Sequence, residues 1–331
     1  MVHKISVVIC AYTEKRWQEL VAAVASVQCQ TLVPQEIVLV IDHNPALLQR
    51  AREQLSGITI LENARAKGLS GARNSGWTCA QGEIIAFLDD DAVAEPDWLE
   101  QLAACYADPT VAGAGGQIVP LWEQHTPAWF PEEFNWVIGC TYRGMPVKQA
   151  RIRNVIGANM SIRRTILEAL GGFRESFGCD KANTNAQSTL KWLNHYAGDE
   201  ETELCIRGSQ QIPGSVWLYA AMAIVHHRVS LERTHWKYFL WRCYDEGLGK
   251  ASLTKLHNAT VALSSERAYM QTLSRGIVRN LLDTFLHRDL NKIFRASAIL
   301  VGLAAAAAGY LVGSIYLRPS RPATSTQAVG V

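Results

Sequence analysis

The eight cysteines of this chain, at positions 10, 29, 79, 105, 140, 179, 205 and 243, include no CxxC pair. The sequence therefore lacks the spacing of a zinc site or a thioredoxin-like redox centre. Several of them sit inside apolar runs, as small core residues do, and we read all eight as reduced thiols of a cytosolic catalytic portion. No basic stripe interleaved with aromatics is present and the net charge is only +2, which argues against nucleic acid as a partner. No GxGxxG follows the first apolar run, and this disfavours a dinucleotide-dependent oxidoreductase. Residues 1–4 lead straight into ISVVICAY, without a basic stretch, an apolar segment and a small-residue cleavage site, so no signal peptide is expected. No fixed-period repeat or low-complexity segment precedes the Ala-rich stretch near the end.

What is present can bury one large core or two modest ones, since 48% of the 331 residues are hydrophobic. KISVVICAY (4–12), PQEIVLVID (34–42), ITILEN (58–63) and EIIAFLDDD (83–91) read as buried strands. Residues 17–28 and 47–55 have helical spacing, and GLSGARNSGWTCAQG (68–82) reads as a loop entering a helix. Strands alternating with helices predict an α/β fold with a mostly parallel, helix-covered sheet. Ligands bind such sheets at the carboxyl ends of the strands, where both Asp42 and the run Asp89, Asp90, Asp91 fall. Three adjacent carboxylates repel one another, the more so in a dry site. The run calls for a cation.

Residues 296–317 form an uncharged apolar stretch bracketed by Arg295 and Arg318, about long enough to cross a bilayer as a helix. The Ala304–Ala308 run weakens its hydropathy, so a buried Ala-rich helix is the competing reading. Ahead of it, Ile277, Val278, Leu281, Leu282, Phe285, Leu286, Leu290, Ile293 and Phe294 fall on one helical face, as in a helix lying on a membrane surface. Lys and Arg over 275–295 outnumber those beyond the span, which orients the bulk of the chain to the cytoplasm. The expectation is a single-pass protein of the cell membrane. Ala305, Gly309 and Gly313 recur every four residues, a spacing that suits a helix pair, hence a homodimer through the membrane.

VVICAYTEKR, IVLVIDHN, GARNSGWTCAQGEIIAFLDDDAVAEPDWL, IGANMSIRR, LGGFRE and GDEETELCIR occur in that order. Together they resemble the nucleotide-sugar-binding domain of family-two inverting glycosyltransferases with the GT-A fold. The resemblance covers residues 4–210, and PAWFPEEFNWVIGCTYRGMP (127–146) is further similar to archaeal dolichyl-phosphate-linked glucuronosyltransferases. It implies a GT-A domain over 1–230, a helical acceptor and membrane-surface region over 231–295, the span, and a loose tail over 318–331. The partners it implies are a nucleotide-sugar donor, a UDP-sugar by preference, and a lipid-linked or saccharide acceptor.

A nucleotide diphosphate leaving group carries two to three negative charges, so a divalent cation is needed as the sugar bond breaks. Oxygen ligands favour Mg²⁺ or Mn²⁺. Asp91 is the candidate ligand, with Asp89 toward the ribose and the metal waters. Strand alternation turns Asp90 elsewhere, unless the chain turns there. The resemblance assigns Asp42 to the base of the nucleotide, although Ala11 and Thr13 depart from the family's usual Pro and Asn in the first loop. Arg73, opening a helix, could hold a phosphate or Asp89. For the base that deprotonates the acceptor, the resemblance points to Glu201, with Glu200 as the neighbouring alternative; Glu203 suits a pairing with Arg207. The bland reading of this cluster is an acidic first helical turn. His226 and His227 lie in a strand and point to opposite faces, so only one can reach the metal. Trp122, Trp129, Phe130, Phe134 and Trp136 could border the acceptor or simply pack the core, and Arg242 or Lys250 could touch a lipid phosphate. A polysaccharide-chain transferase and a non-catalytic sugar-nucleotide-binding scaffold remain as alternatives.

Overall fold

The four apolar runs become four parallel strands. The computed structural model describes residues 4–177 and 199–316, so Cys179 and the tail over 318–331 lie outside the described residues. Strand β1 (Ile5–Ala11) is followed by α1 (Trp17–Gln28), β2 (Glu36–Ile41), α2 (Pro45–Gln54), β3 (Thr59–Glu62), α3 (Leu69–Cys79) and β4 (Ile84–Asp89). Helix α2 starts where it does because the Asn44 side chain accepts from Leu47 N at 3.0 Å with Pro45 at the first helical position. In β1, β2 and β4 both faces are apolar and covered, whereas β3, at the sheet edge, leaves Thr59 and Glu62 exposed. Val7, Ile9, Leu39 and Leu88 pack under α1, while Val8, Val40 and Phe87 pack under α3. Such unbroken apolar runs are what a sheet buried on both sides requires.

The remaining strands are β5 (Ala92–Ala94), β6 (Val111–Trp122), β7 (Ala150–Ile152), β8 (Asn159–Arg163) and β9 (Val216–Val229), with α4 (Trp98–Cys105), α5 (Arg164–Leu170) and α6 (Glu200–Gln211) between them. The order is β3-β2-β1-β4-β8-β6-β9-β5, with β7 paired to β9. Strand β8 runs antiparallel to both β4 and β6, and β5 and β7 run antiparallel to β9. The sheet is therefore mixed, not mostly parallel. Short β5 and β7 strands lacked the alternation with helices on which the parallel expectation rested. From β1 the chain moves to β2 and β3 on one side, then returns to β4 on the other, so a crevice opens at the β1 and β4 ends.

Helices α7 (Trp236–Leu256), α8 (Ala259–Ala262), α9 (Glu266–His287) and α10 (Asn291–Tyr316) complete the described chain. Phe239, Leu273 and Ile299 from three of them join the same buried cluster as the α1 side of the sheet. The surface helix expected through residue 294 is broken. Arg288 adopts a left-handed φ of 53° and Asp289 caps Asn291 N at 3.0 Å, so α9 stops at His287 and a new helix starts. Apolar residues on both sides of this elbow are exposed, among them Phe285 (82%), Leu286, Leu290 and Phe294.

Helix α10 is long and apolar enough to cross a membrane by length and composition. Its small-residue face is not free. Gly309 and Gly313 are buried, a Cβ on Gly309 would clash with the Tyr244 carbonyl oxygen, and Lys255 donates to Gly313 O at 3.0 Å. Gly247 of α7 meets the Ala306 backbone in the same way. The face on which the homodimer expectation rested is occupied by α7 of the same chain, because small residues let two backbones approach whether or not both belong to one chain. Gly309→Leu should thus lower thermal stability, by about 1–3 kcal/mol as overpacking does, measured by melting of the purified chain. An unchanged melt would mean that α10 does not lie on α7.

Candidate active site

The chain turns immediately after β4, and that turn assembles the site. Asp89 ends the strand half-buried, while Asp90 and Asp91 occupy the turn into β5 and are both buried. Alternation stops where the strand stops, so Asp90 does not point away as expected of a continuing strand. Arg16, from the loop after β1, donates to Asp91 Oδ2 at 2.6 Å and lies 3.1 Å from Asp90 Oδ1. Antiparallel pairing of β5 with β9 sets Ala92 opposite His227 and Val93 opposite His226. His227 Nε2 consequently lies 3.2 Å from Asp91 Oδ1, whereas His226 Nε2 lies 2.7 Å from Glu95 Oε1 on the other face. Only His227 joins the acids: donor atoms of Asp89, Asp91 and His227 all lie within 4.8 Å of one another. His226, a candidate ligand by sequence, is outside this group because of strand alternation.

Two carboxylates and one imidazole suit a hard divalent cation such as Mg²⁺ or Mn²⁺. The electrostatics agree. Burial alone would raise the Asp91 pKa, but the hydrogen bond and charge of His227, with Arg16 and Arg233, hold it well below the usual carboxylate range. Asp90 is the opposite case: burial, opposed by Arg16 and reinforced by Asp91 and Asp89, pushes it up to about 8. Among the described residues its Oδ2 has no hydrogen-bond partner although buried, and the same holds for Nδ1 of His227. Arg233, from the turn after β9, approaches Asp91 Oδ2 at 3.7 Å. Two guanidiniums thus converge on the carboxylate meant for a cation. Neither was singled out from the sequence, although Arg16 ends the VVICAYTEKR stretch; LERT carries no motif.

Arg73 on α3 joins this cluster to the second acidic group. It is buried, with Nη1 2.7 Å from Glu200 Oε1 and Nη2 3.5 Å from Asp89 Oδ1. Its guanidinium passes over Gly157, where a Cβ would come within 2.6 Å of Nη2. Glu200 opens α6 beside Glu201, and Asp199 before them takes a left-handed φ of 62°. Glu203, fully buried, accepts from Arg207 Nε at 3.0 Å and pairs with Arg174 at 2.9 Å, a structural role. Glu201 differs. It lines the cleft without a salt bridge among the described residues, and burial first, then the charge of Glu200, outweigh Arg73 to raise its pKa to about 8. A carboxyl near neutrality is suited to proton transfer.

The cleft has a volume of about 640 Å³ and runs from Asp89, Arg73 and Glu201 to the inner faces of α7 and α9. Trp136 lines it, its Nε1 donating to Tyr269 Oη at 2.7 Å, while Tyr269 in turn donates to Glu133 O. Phe130 and Phe134 are instead fully buried and meet Phe239 edge-on and tilted, so the aromatic segment divides between core and cleft. Arg242 and Lys250 line the cleft too, but each is already paired, Arg242 with Asp245 at 2.6 Å and Lys250 with Glu266 at 3.0 Å. Among the described residues, Arg153 donates to neutral acceptors, Asn154 Oδ1 and Ala262 O.

Asp42, at the end of β2, is buried and heavily engaged: Oδ1 accepts from Asn63 Nδ2 at 2.6 Å and faces His43 Nδ1 at 2.8 Å, and Oδ2 accepts from Gly68 N at 2.9 Å. It fastens the loop before α3. Gly68 has φ 124°, a conformation open to glycine and little else.

Residues 6–171 match the sequence profile described as glycosyl transferase family 2. A glucosyl-dolichyl phosphate glucuronosyltransferase of Haloferax volcanii is 31% identical over 315 residues, 94% of this chain and 96% of that one. A pre-mycofactocin glycosyltransferase of Mycobacterium tuberculosis is 32% identical over 120 residues, 36% of this chain and 26% of its own length. Among solved structures, a mannosyltransferase from Pyrobaculum calidifontis in complex with GDP-Man and Mn²⁺ superposes with a TM-score of 0.58 at 17% identity, over 94% of this chain and 88% of that one. GalNAc-T7 with UDP, GalNAc and Mn²⁺ gives 0.52 at 19% identity, over 84% and 58%. These two likenesses show the fold, which is of the GT-A type. The profile match spans β1 through the turn that carries Asp89 to Asp91, and the relative from Haloferax extends it along nearly the whole chain: this protein belongs to glycosyl transferase family 2.

Proposed function

We propose that this hexosyltransferase moves one sugar, with inversion, from a nucleotide diphosphate to a lipid-linked acceptor lodged in the cleft. The observation that carries the reading is Glu201, a carboxyl in the same cleft as Asp89 and Arg73 that makes no salt bridge among the described residues and whose pKa is raised to about 8. In this reading Glu201 takes the proton of the acceptor hydroxyl as the new bond forms at the anomeric carbon. Glu200 is not free for that task, because Arg73 holds it. Arg73 instead keeps the base helix and the Asp89 carboxylate in fixed relation.

Asp91, Asp89 and His227 would hold the divalent cation, which when bound offsets the charge developing on the leaving diphosphate. Arg16 and Arg233, aimed at the same point, would add to that positive field. The name of the Haloferax relative, a transferase acting on a glucosyl-dolichyl phosphate, supports a lipid-linked acceptor. So does the exposed apolar elbow between α9 and α10, which would bring the cleft to a membrane. We further propose that α9 and α10 attach the protein to the cytoplasmic face of the cell membrane.

The test is a screen of nucleotide sugars for transfer by the full chain with Mn²⁺, with and without polyprenyl phosphate and glycosylated polyprenyl phosphate. Transfer to a lipid product with inverted configuration is expected. Product formed equally well on free oligosaccharide termini, without lipid, would replace the lipid acceptor by a saccharide one.

A further inference from the structure

We infer that α10 lies along the face of a lipid bilayer, half-immersed, and does not cross it. This rests on the membrane attachment proposed above and gives that attachment a geometry. A helix that crosses a bilayer is wrapped by lipid, or by other spanning helices, over about 30 Å. Helix α10 instead has the catalytic domain against one side from end to end. At its start Ala296, Ala298 and Ile299 are buried, Ile299 in the core cluster that also holds Phe239 and Leu273, and Arg295 Nε donates to Ala128 O at 2.8 Å. Farther along, Gly302 lies against Phe134 and Phe239, Gly309 lies against Tyr244 and Leu248, and Gly313 O accepts from Lys255. The numbers rise together, so α7 runs beside α10 in the same direction.

That neighbour is a poor companion in hydrocarbon. Between Phe239 and Lys255, the side of α7 turned away from α10 presents Arg242, Asp245, Glu246 and Lys250 to the cleft. Crossing would carry these charged side chains and the cleft they line to hydrocarbon depth, at a cost for each. The alternative is to strip α10 from α7, which would open the close backbone contacts at Gly247 and Gly309. Lying flat demands neither.

The exposed side of α10 has the composition for an interface. Ile293, Leu300, Ala304, Ala308, Leu311 and Ile315 are exposed at helical spacing, an uncharged stripe about 33 Å long at 1.5 Å per residue. It continues through the elbow into Phe285, Leu286 and Leu290, so two helices together offer one broad apolar surface. Arg288, exposed at the elbow, supplies a cation for anionic headgroups. A helix lying in the interface ordinarily turns a polar face to water. Here the catalytic domain takes the place of that face.

Two measurements on the full-length chain test the geometry. In the first, epitope tags precede Met1 and follow Val331, and protease is added to sealed membrane vesicles of one orientation from cells expressing the chain. The two tags should be cleaved together or protected together; tags on opposite sides overturn the proposal. In the second, spin labels are attached through Ile293→Cys, Leu300→Cys, Ala304→Cys, Leu311→Cys or Ile315→Cys, each in a chain carrying Cys29→Ser, Cys79→Ser and Cys179→Ser. The labelled chains are reconstituted by detergent removal into vesicles of phosphatidylcholine and phosphatidylglycerol, with melting curves as a control for folding. Collision with oxygen, compared with a water-soluble nickel chelate, should put every label at one shallow depth, about 5–10 Å into the headgroup and acyl boundary. A depth that peaks near Ala304 and falls toward Ile293 and Ile315 overturns the flat helix and leaves the attachment standing. Labels shielded from both oxygen and nickel would mean that a second copy of the chain covers the stripe, and this also overturns the proposal. Recovery of the wild-type chain in the soluble fraction overturns the attachment itself, and the proposal with it.

Discussion

Asp91→Asn is expected to reduce transfer about a thousandfold or more, because it removes the charge of the proposed cation ligand at the point where leaving-group charge must be offset. The fold should survive. Arg16 already contacts Asp90 at 3.1 Å, and Asp90 is held up partly by the charge of Asp91. With that charge removed, Asp90 ionises more readily and keeps Arg16 company. Steady-state kinetics over a range of Mn²⁺ concentration, with a melting curve as control, would measure both effects. Full turnover of the variant in the presence of a chelator would sink the cation site.

Glu201→Gln should lower kcat about a hundredfold to ten-thousandfold, the usual contribution of a positioned base, with little change in nucleotide affinity. The pH profile carries a second signature. As the proposed base Glu201 must be deprotonated, and its pKa is raised to about 8. Below that value kcat/KM should therefore climb about tenfold per pH unit, then level off above it. In Glu201→Gln this acid limb should vanish. Glu200→Gln behaves differently, since it strips Arg73 of its buried partner at 2.7 Å. Such a loss costs about 3 kcal/mol or more of stability, visible in the melt. An inactive but stable Glu200→Gln beside a near-normal Glu201→Gln would shift the base by one residue.

The four parallel strands were legible because each is an apolar run bounded by turn residues, and α1 was legible to the residue because its apolar spacing begins and ends with the helix. The Asp-rich turn was legible as chemistry, since like charges gathered behind an apolar run need a partner, while the two glutamates at the start of α6 were reached only through the family resemblance. Arg16 and Arg233 were not, because a single arginine in a loop carries no periodicity and its target lies 75 or more residues away. The choice between His226 and His227 needed the register of β5 on β9, which three residues of strand cannot announce. The small-residue stripe of α10 misled in a different way. It specified close helix contact correctly, yet a periodic pattern on one helix says nothing about which helix covers it.

That contact has a mechanical meaning. Helix α7 presents Arg242, Asp245, Glu246 and Lys250 to the cleft and lays Tyr244, Gly247 and Leu248 against α10. One helix is thus both a wall of the reaction chamber and the seat of the apolar helix, with no swivel between them. A catalytic head on a flexible stalk can sweep through a range of heights; this one rides at a single height above whatever layer holds α10. Reach must then come from the substrate. Under the proposed lipid-linked reading, acceptors whose sugar sits within a short, fixed distance of the lipid would meet Glu201, and a glycan grown beyond that distance would pass it by.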